Sequence, residues 1–520
     1  MTTPISSPGG LPILTILIFS PLVAAAVAML LRSERLLKAW TLAFTTGAAI
    51  FSFALYAGFD IRTAEFQFRE TAAWIPALNI RYDVGIDGLS LLLVLLSTLV
   101  MPICVLVSWR AITVRVKEFM VSLLVMETAM LGIFCALDFI LFFVFWEAML
   151  IPMALLIGVW GGPRKIYAAL KFFIYTMAGS VMLLVAILAL YFWDPNHRTF
   201  SIPELMGRNY GVSFQCWVFL AFALSFAIKV PMVPFHTWLP AAHVEAPTAG
   251  SVLLASILLK MGAYGFLRLC LPVTPHATHV FMPWVLGFSV AAILYGGLAS
   301  LAQSDMKKIV AYSSVAHMGF VTLGTFALFL WGPGSSGGFL SDAMDPRGMG
   351  LEGAILQMVN HGVTAGALFI CVGFAYERLH SRELSDAAGL GKRMPIYAFF
   401  LGAFCLSSMA FPGTNNFIGE FLTLAAGFKV STWMVLCIVP GIVIAAAYNL
   451  RMLQTVAYGG TANPAHEGIR DLSAREILSL APLFALVVWV GLNPAPFARV
   501  LHATVAHLLE QVRAGAPFSP

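Results

Sequence analysis

Fourteen apolar runs of about 20 residues follow one another along the chain, a length that lets a helix cross the hydrocarbon core of a bilayer. They fall at 11–31, 36–59, 87–109, 119–137, 139–160, 166–193 and 215–240, then at 248–271, 282–303, 309–331, 352–379, 396–424, 430–457 and 475–498. Helices are favoured in lipid because they satisfy their own backbone. The chain therefore reads as an all-α polytopic membrane protein with about 14 transmembrane helices. Its composition agrees, with 60% hydrophobic residues and only 11% charged, where a soluble domain carries about a quarter. A net charge of +5 without a long basic run speaks against nucleic-acid binding.

The seven cysteines stand singly in apolar runs, with no C-x-x-C pair, so neither a metal nor an iron–sulfur cluster is expected. No G-x-G-x-x-G or phosphate-binding loop is present, which places nucleotide chemistry elsewhere. The run 11–31 is too long for a signal-peptide core and lacks a basic start, so it reads as a spanning helix.

Alternate connections differ in charge. The set containing Arg32, Arg110, Arg115, Lys117, Arg164, Lys165, Lys307, Lys308 and Arg382 carries about twice the Lys and Arg of the other set. That set is predicted to be cytoplasmic, which puts both termini in the periplasm. Long outer connections are expected at 60–86, 194–214 and 332–351, the last a flexible link through Gly332-Pro333-Gly334. Residues 499–520 read as a short surface helix and tail.

Pro231 and Pro234 interrupt the seventh run, because proline removes a backbone donor. Five runs later Pro412-Gly413 and Asn415-Asn416 interrupt the twelfth. An odd offset reverses the direction of the counterpart, and paired broken helices in opposed halves mark inverted-repeat transporters. The expected layout is helices 1–3 in residues 1–118 and a first five-helix repeat in 119–271. A second, inverted repeat follows in 282–457, and a final helix and tail in 475–520.

Glu127, Glu147, Lys229, Lys260 and Glu420 fall inside apolar runs. A charged residue at mid-helix costs about 2.5–3.5 kcal/mol on insertion scales, so such groups mark ion pathways by default. For Glu147 the bland alternative is a structural ion pair with a lysine from another helix, and the pathway reading outweighs it. For Glu127 packing against the fifth run weighs equally. Lys260 sits too deep to snorkel, whereas Lys171 and Arg268 read as snorkelling anchors. Ser313, Ser314 and His317 share one helix face, and Gln357, Asn360, His361 and Thr364 form a second polar stripe. Two such stripes between Lys260 and Glu420 read as a hydrated proton relay rather than as core histidines, since imidazole titrates near neutrality. A metal site lacks a third ligand. Glu420, beyond the break, is the exit group. His236, His243 and Glu245 suit either entry or loop packing.

Several of these segments resemble one family. They are Lys229 with His236-Thr237-Trp238-Leu239-Pro240, His243-Val244-Glu245-Ala246-Pro247-Thr248, Leu259-Lys260-Met261-Gly262, Val84-Gly85-Ile86-Asp87-Gly88, Phe145-Trp146-Glu147, Ser313-Ser314-Val315-Ala316-His317 and Ile418-Gly419-Glu420. The chain is similar to the antiporter-like subunits of proton-pumping NADH:quinone oxidoreductase, respiratory complex I, on the subunit M or mitochondrial chain 4 branch. The resemblance implies fourteen helices in inverted repeats, a Glu–Lys pair at Glu147 and Lys229, and a connecting lysine at Lys260. It also implies relay histidines at His317 and His361 and a terminal glutamate at Glu420. It implies proton transfer from cytoplasm to periplasm across a bacterial inner membrane, driven by redox chemistry in other subunits. FMN, iron–sulfur clusters and quinone would lie on those subunits and no cofactor on this chain. The implied partners are neighbouring antiporter-like subunits, the lipid bilayer, protons and water. A subunit of a multi-chain Na⁺/H⁺ antiporter and a scaffold that only transmits strain remain open.

Overall fold

Apolar runs bounded by capping residues become helices. Asp87, Asp138 and Asp305 each accept from backbone N–H groups of the helix that follows, Asp138 from Ile140 at 2.8 Å and Leu141 at 3.2 Å. The computed structural model describes residues 10–206, 208–327, 346–459 and 466–515. Among them, 13 helices are long and apolar enough to cross a membrane. Spans one to seven are Ile13–Leu30, Glu34–Gly58, Gly88–Ala111, Val116–Cys135, Phe139–Trp160, Lys165–Trp193 and Val212–Lys229. Spans eight to eleven are Thr248–Val273, Pro275–Leu301, Met306–Phe326 and Arg347–Leu379, and spans thirteen and fourteen are Thr432–Tyr458 and Ala474–Leu492.

The twelfth segment is two shorter helices, Pro395–Ser408 and Asn415–Val430, parted at the expected Pro-Gly. Both expected interruptions are therefore present, the other separating Val212–Lys229 from the short helix Trp238–Glu245.

Contacts sort the connections into two ends. At one end the Asp138 region pairs with Ser201, Asn79 donates to the Arg198 carbonyl at 3.0 Å, and Gly88 N–H donates to Thr504 Oγ1 at 3.0 Å. At the other, Gly162 N–H donates to the Glu245 carbonyl at 2.8 Å and Met306 N–H to the Arg382 carbonyl at 2.9 Å. The twelfth segment begins after the Arg382 connection at the second end, and a Cβ on Gly324, near the far end of span ten, would lie 2.5 Å from Thr423, so the broken twelfth segment is a single crossing.

Residues 60–86, expected as a long loop, instead hold an antiparallel hairpin, β1 (Gln67–Ile75) with β2 (Ile80–Ile86). Ile80, Tyr82, Val84 and Ile86 supply the alternation of a strand, and Asn79 takes the left-handed turn position at φ 53°. The hairpin caps span one, since Glu70 accepts from the backbone of Leu14 at 2.7 Å and Thr15 at 3.1 Å. The C-terminal helix, Ala495–Gly515, buries Val500, Leu501 and Val505. A Cβ on Gly88 would lie 2.1 Å from the Val500 carbonyl, so glycine is what lets the helix approach span three. The Gly332–Gly338 stretch expected as a flexible link lies outside the described residues.

Spans eight, ten and eleven form the buried centre, whereas spans one, two, six, thirteen and fourteen present most of their surface outward. The polar residues read from the sequence concentrate on the central three.

Candidate functional site

Span eight is a wide helix around Lys260. Leu254–Leu258 and Phe266–Cys270 are π-helical, flanking the α-turns Leu259–Gly265 that carry the lysine. Such π segments are frequent at functional sites. Lys260 Nζ donates to the Ala255 carbonyl and lies 2.7 Å from His361 Nδ1 on span eleven. Ser256 does not meet the lysine; its hydroxyl donates to the Gly362 carbonyl at 2.7 Å and pins the two spans together beside His361.

The other histidine belongs to a second pair. His317 Nδ1 lies 2.7 Å from Glu420 Oε1, and Gln357 Nε2 donates to that oxygen at 2.9 Å. His317 Nε2 lies 3.3 Å from the Ser408 hydroxyl, which accepts from Asn449 Nδ2 at 3.2 Å. The His317 and His361 ring centroids are 5.5 Å apart, so the two pairs stand back to back, all four residues buried. His361 Nε2 and Gln357 Oε1, within these groups, and both side-chain polar atoms of Asn416 on span twelve are buried without a protein partner. Buried polar groups of this kind are ordinarily satisfied by ordered water.

The stripe on span eleven divides by function. Gln357 and His361, four residues apart, face the pairs just described. Asn360 and Thr364 instead stitch the break in span twelve: Asn360 Nδ2 donates to the Asn415 carbonyl at 2.7 Å, Asn415 Nδ2 to the Asn360 carbonyl at 3.1 Å, and Thr364 to Asn415 Oδ1 at 3.2 Å. On span ten His317 reaches across to span twelve, whereas the Ser313 and Ser314 hydroxyls both donate back to the Val310 carbonyl.

Lys229 ends its helix where Pro231 stops it. The freed Ile228 carbonyl accepts from Trp238 Nε1 at 2.8 Å. The amine is buried, has no hydrogen-bond partner and sits 4.5 Å over the Trp146 ring. Glu147 is the charge that acts on this amine, but it makes no ion pair with it within 4.0 Å. Trp146 occupies the side of span five that meets the amine, and Glu147 is one residue, about 100°, further round. Glu147 keeps one buried, unpaired oxygen, and Glu127, wholly buried on span four, has both oxygens unpaired.

Arg268 is no snorkelling anchor. It is buried in an ion pair with Asp87 at 2.5 Å, with Tyr264 Oη at 3.3 Å. Lys307, expected only as a loop charge, is also buried, and its Nζ donates to the Ala246 carbonyl at 2.7 Å. Arg382 donates to the Val244 carbonyl and meets Asp305 at 3.5 Å. Glu245 accepts from the Arg164 backbone at 2.9 Å. His243 stacks on Phe369 at 4.3 Å, and His236 packs against Tyr295 at 5.0 Å. Sequence reasoning missed Trp146 as the cover of Lys229, Lys307 as a buried amine, and Ser408 with Asn449 behind His317. A lone asparagine in the apolar run 430–457 was the available signal for the last. No group of three His, Cys, Asp or Glu is placed to hold a metal ion among the described residues.

A broken-helix bundle with a file of buried ionisable groups defines a class, and the family model "NADH:quinone oxidoreductase/Mrp antiporter, TM" matches residues 136–445. The chain belongs to that family. Within it, the chain is 43% identical to NADH-quinone oxidoreductase subunit M of Rhodobacter capsulatus, covering 96% of this chain and 97% of that one. It is 40% identical to NADH-ubiquinone oxidoreductase chain 4 of Chondrus crispus, covering 95% and 96%. Among solved structures it is similar to a chain of respiratory complex I from Thermus thermophilus with bound NADH, at TM-score 0.85 and 28% identity over 96% of this chain and 99% of that one. A chain of the Mrp complex from Dietzia sp. DQ12-45-1b shares the fold at TM-score 0.79 and 20% identity, over 96% of this chain and 55% of that one.

Proposed function

We propose that this chain is a proton-translocating membrane subunit of NADH:quinone oxidoreductase. It carries protons laterally between its two halves and releases them at the periplasmic side of a bacterial inner membrane. The observation that carries this reading is the pair of contacts Lys260–His361 and His317–Glu420, back to back with their rings 5.5 Å apart, and with His361 Nε2 itself buried and unpaired. Lysine, histidine and carboxylate in hydrogen-bond reach can each hold and pass a proton, and water can bridge the one gap. Glu147 and Lys229 serve as the loading pair. Their separation here suits a switch, because bringing the carboxylate nearer favours the charged amine and withdrawing it lets desolvation favour the neutral one.

In this reading redox chemistry takes place in other subunits, and the neighbours are further antiporter-like subunits in the lipid bilayer. The two broken spans support an inverted-repeat organisation, with spans four to eight and nine to thirteen as the halves. The Lys/Arg-rich connections are assigned to the cytoplasm, and both termini to the periplasm.

The test uses inverted membrane vesicles holding the whole complex. Lys229→Ala, Lys260→Ala and Glu420→Gln are each expected to abolish or sharply reduce NADH-driven proton uptake per assembled complex. Full uptake by assembled Lys260→Ala would overturn the lateral route.

A further inference from the structure

The ion pair of Asp87 and Arg268 floors a cavity that the lateral route does not use. The cavity holds about 230 Å³ between the hairpin, the C-terminal helix and the ends of spans three and eight assigned to the periplasm. Glu65 and His507 at its rim are exposed, whereas Leu267 and Arg268 are buried. Lys260 lies eight residues further in on the same helix, about 12 Å of helical rise. An amine that exchanges protons therefore stands beneath a space open to the outer side.

Arginine has the chemistry to close such a space. Its guanidinium offers five donors and no acceptor, and it keeps its proton in proteins. A hydrogen-bonded file passes a proton only where each member can take one and give one. Arg268 places its donors on three side-chain oxygens around the floor: Nη2 on Asp87 Oδ1 at 2.5 Å and Ser90 Oγ at 3.4 Å, and Nε on Tyr264 Oη at 3.3 Å. One turn further in, Tyr264 Oη donates to the Phe134 carbonyl at 3.2 Å, an acceptor that passes nothing on. Desolvation offsets most of the attraction within a buried ion pair, so stability alone gives little reason for one here.

We propose that Arg268, held by Asp87, is a stopper that keeps periplasmic protons from running back through this cavity to Lys260. The proposal rests on the reading of Lys260 as a relay member and of this end as periplasmic. Arginine also serves to exclude protons from water-conducting pores.

The experiment imposes a pH step, without NADH, on proteoliposomes holding assembled complex and follows its decay with a trapped dye. R268S/D87N replaces the stopper with small groups that admit water, while asparagine still caps span three. It is expected to dissipate the step severalfold faster than wild type, and adding K260M is expected to restore wild-type tightness. R268M/D87L, apolar and dry, is expected to stay tight. A tight R268S/D87N, or a leak that persists with K260M or appears equally in R268M/D87L, overturns the proposal. Full NADH-driven uptake by K260A overturns the relay reading instead. Should R268S/D87N fail to assemble, an impermeant thiol reagent decides the matter, applied from the periplasmic side to complex carrying L267C or A263C and compared with wild type. Labelling of L267C alone supports the stopper, and labelling of A263C or of neither overturns it.

Discussion

Trp146 is the residue that most changes how Lys229 should be understood. Its ring face covers the Lys229 amine at 4.5 Å while its Nε1 donates to Ser180 at 3.1 Å. The indole is thus held in place as a partner that attracts a charged amine without being able to take its proton. Cation–π attraction is worth about 0.5–2 kcal/mol and the hydrogen bond about another 1 kcal/mol. Trp146→Phe is expected to assemble and to lower NADH-driven proton uptake severalfold. Trp146→Ala leaves a cavity costing about 3–5 kcal/mol and is expected to lower the amount of complex on native gels as well. The buried Glu and Lys positions were legible in the sequence because each is conspicuous in an apolar run. Their partners were not, since a neighbour across helices depends on rotation about each axis. The lack of a direct Glu147–Lys229 ion pair shows the consequence, for one step along span five swings a side chain about 100° round and leaves Glu147 acting on the amine from a distance. Arg268 misled for a related reason: its acidic partner, Asp87, is 181 residues away in the chain.

Broken elements were easier to read than bent ones. Proline and glycine announce the interruptions in the seventh and twelfth segments, because each removes a donor or admits a backbone that others avoid. The π segments around Lys260 carry no such mark, and neither does the close packing that accompanies them. A Cβ on Gly262 would lie 2.8 Å from the Phe226 carbonyl and 2.9 Å from Lys229 Cβ, so span eight touches the end of span seven at the break. Overpacking such a contact costs about 1–3 kcal/mol. Gly262→Val is expected to displace the Lys229 end of span seven, with a lower melting temperature of the assembled complex and reduced pumping. Asn415→Ala tests the other break. It removes the acceptor of the Ser407 and Thr364 hydroxyls and the donor to the Asn360 carbonyl. Each buried group left unpaired costs about 1–3 kcal/mol. The expected outcome is a thermally weakened complex, measured by its melting curve, with Lys229 and its surroundings unaffected.

At the scale of the molecule the turn between spans five and six, span ten and the connection after span eleven are fastened together where the short helix Trp238–Glu245 ends. Glu245 holds the turn between spans five and six through the Arg164 and Gly162 backbone N–H groups, at 2.9 Å and 2.8 Å. The next carbonyl, Ala246, receives Lys307 of span ten, and Val244 receives Arg382 of the connection after span eleven. A movement of span five that alters the Glu147–Lys229 distance therefore pulls on the same few peptide units that anchor the span carrying His317. None of this was legible beforehand, because Lys307 and Arg382 look like ordinary positive charges of a loop, and only the fold brings a helix end to meet them. If the node transmits movement, loosening it on either side should have the same effect, and loosening both should add little. Gly162→Pro removes the N–H that Glu245 accepts, and Lys307→Met removes the amine from Ala246. Each is expected to reduce proton uptake per NADH more than it reduces assembled complex. Groups that share partners couple by about 0.5–3 kcal/mol in double-mutant cycles, whereas independent sites add. A cycle of melting and uptake measurements on the two single variants and the double should therefore show strong non-additivity, and simple additivity would mean that spans five and ten are coupled elsewhere.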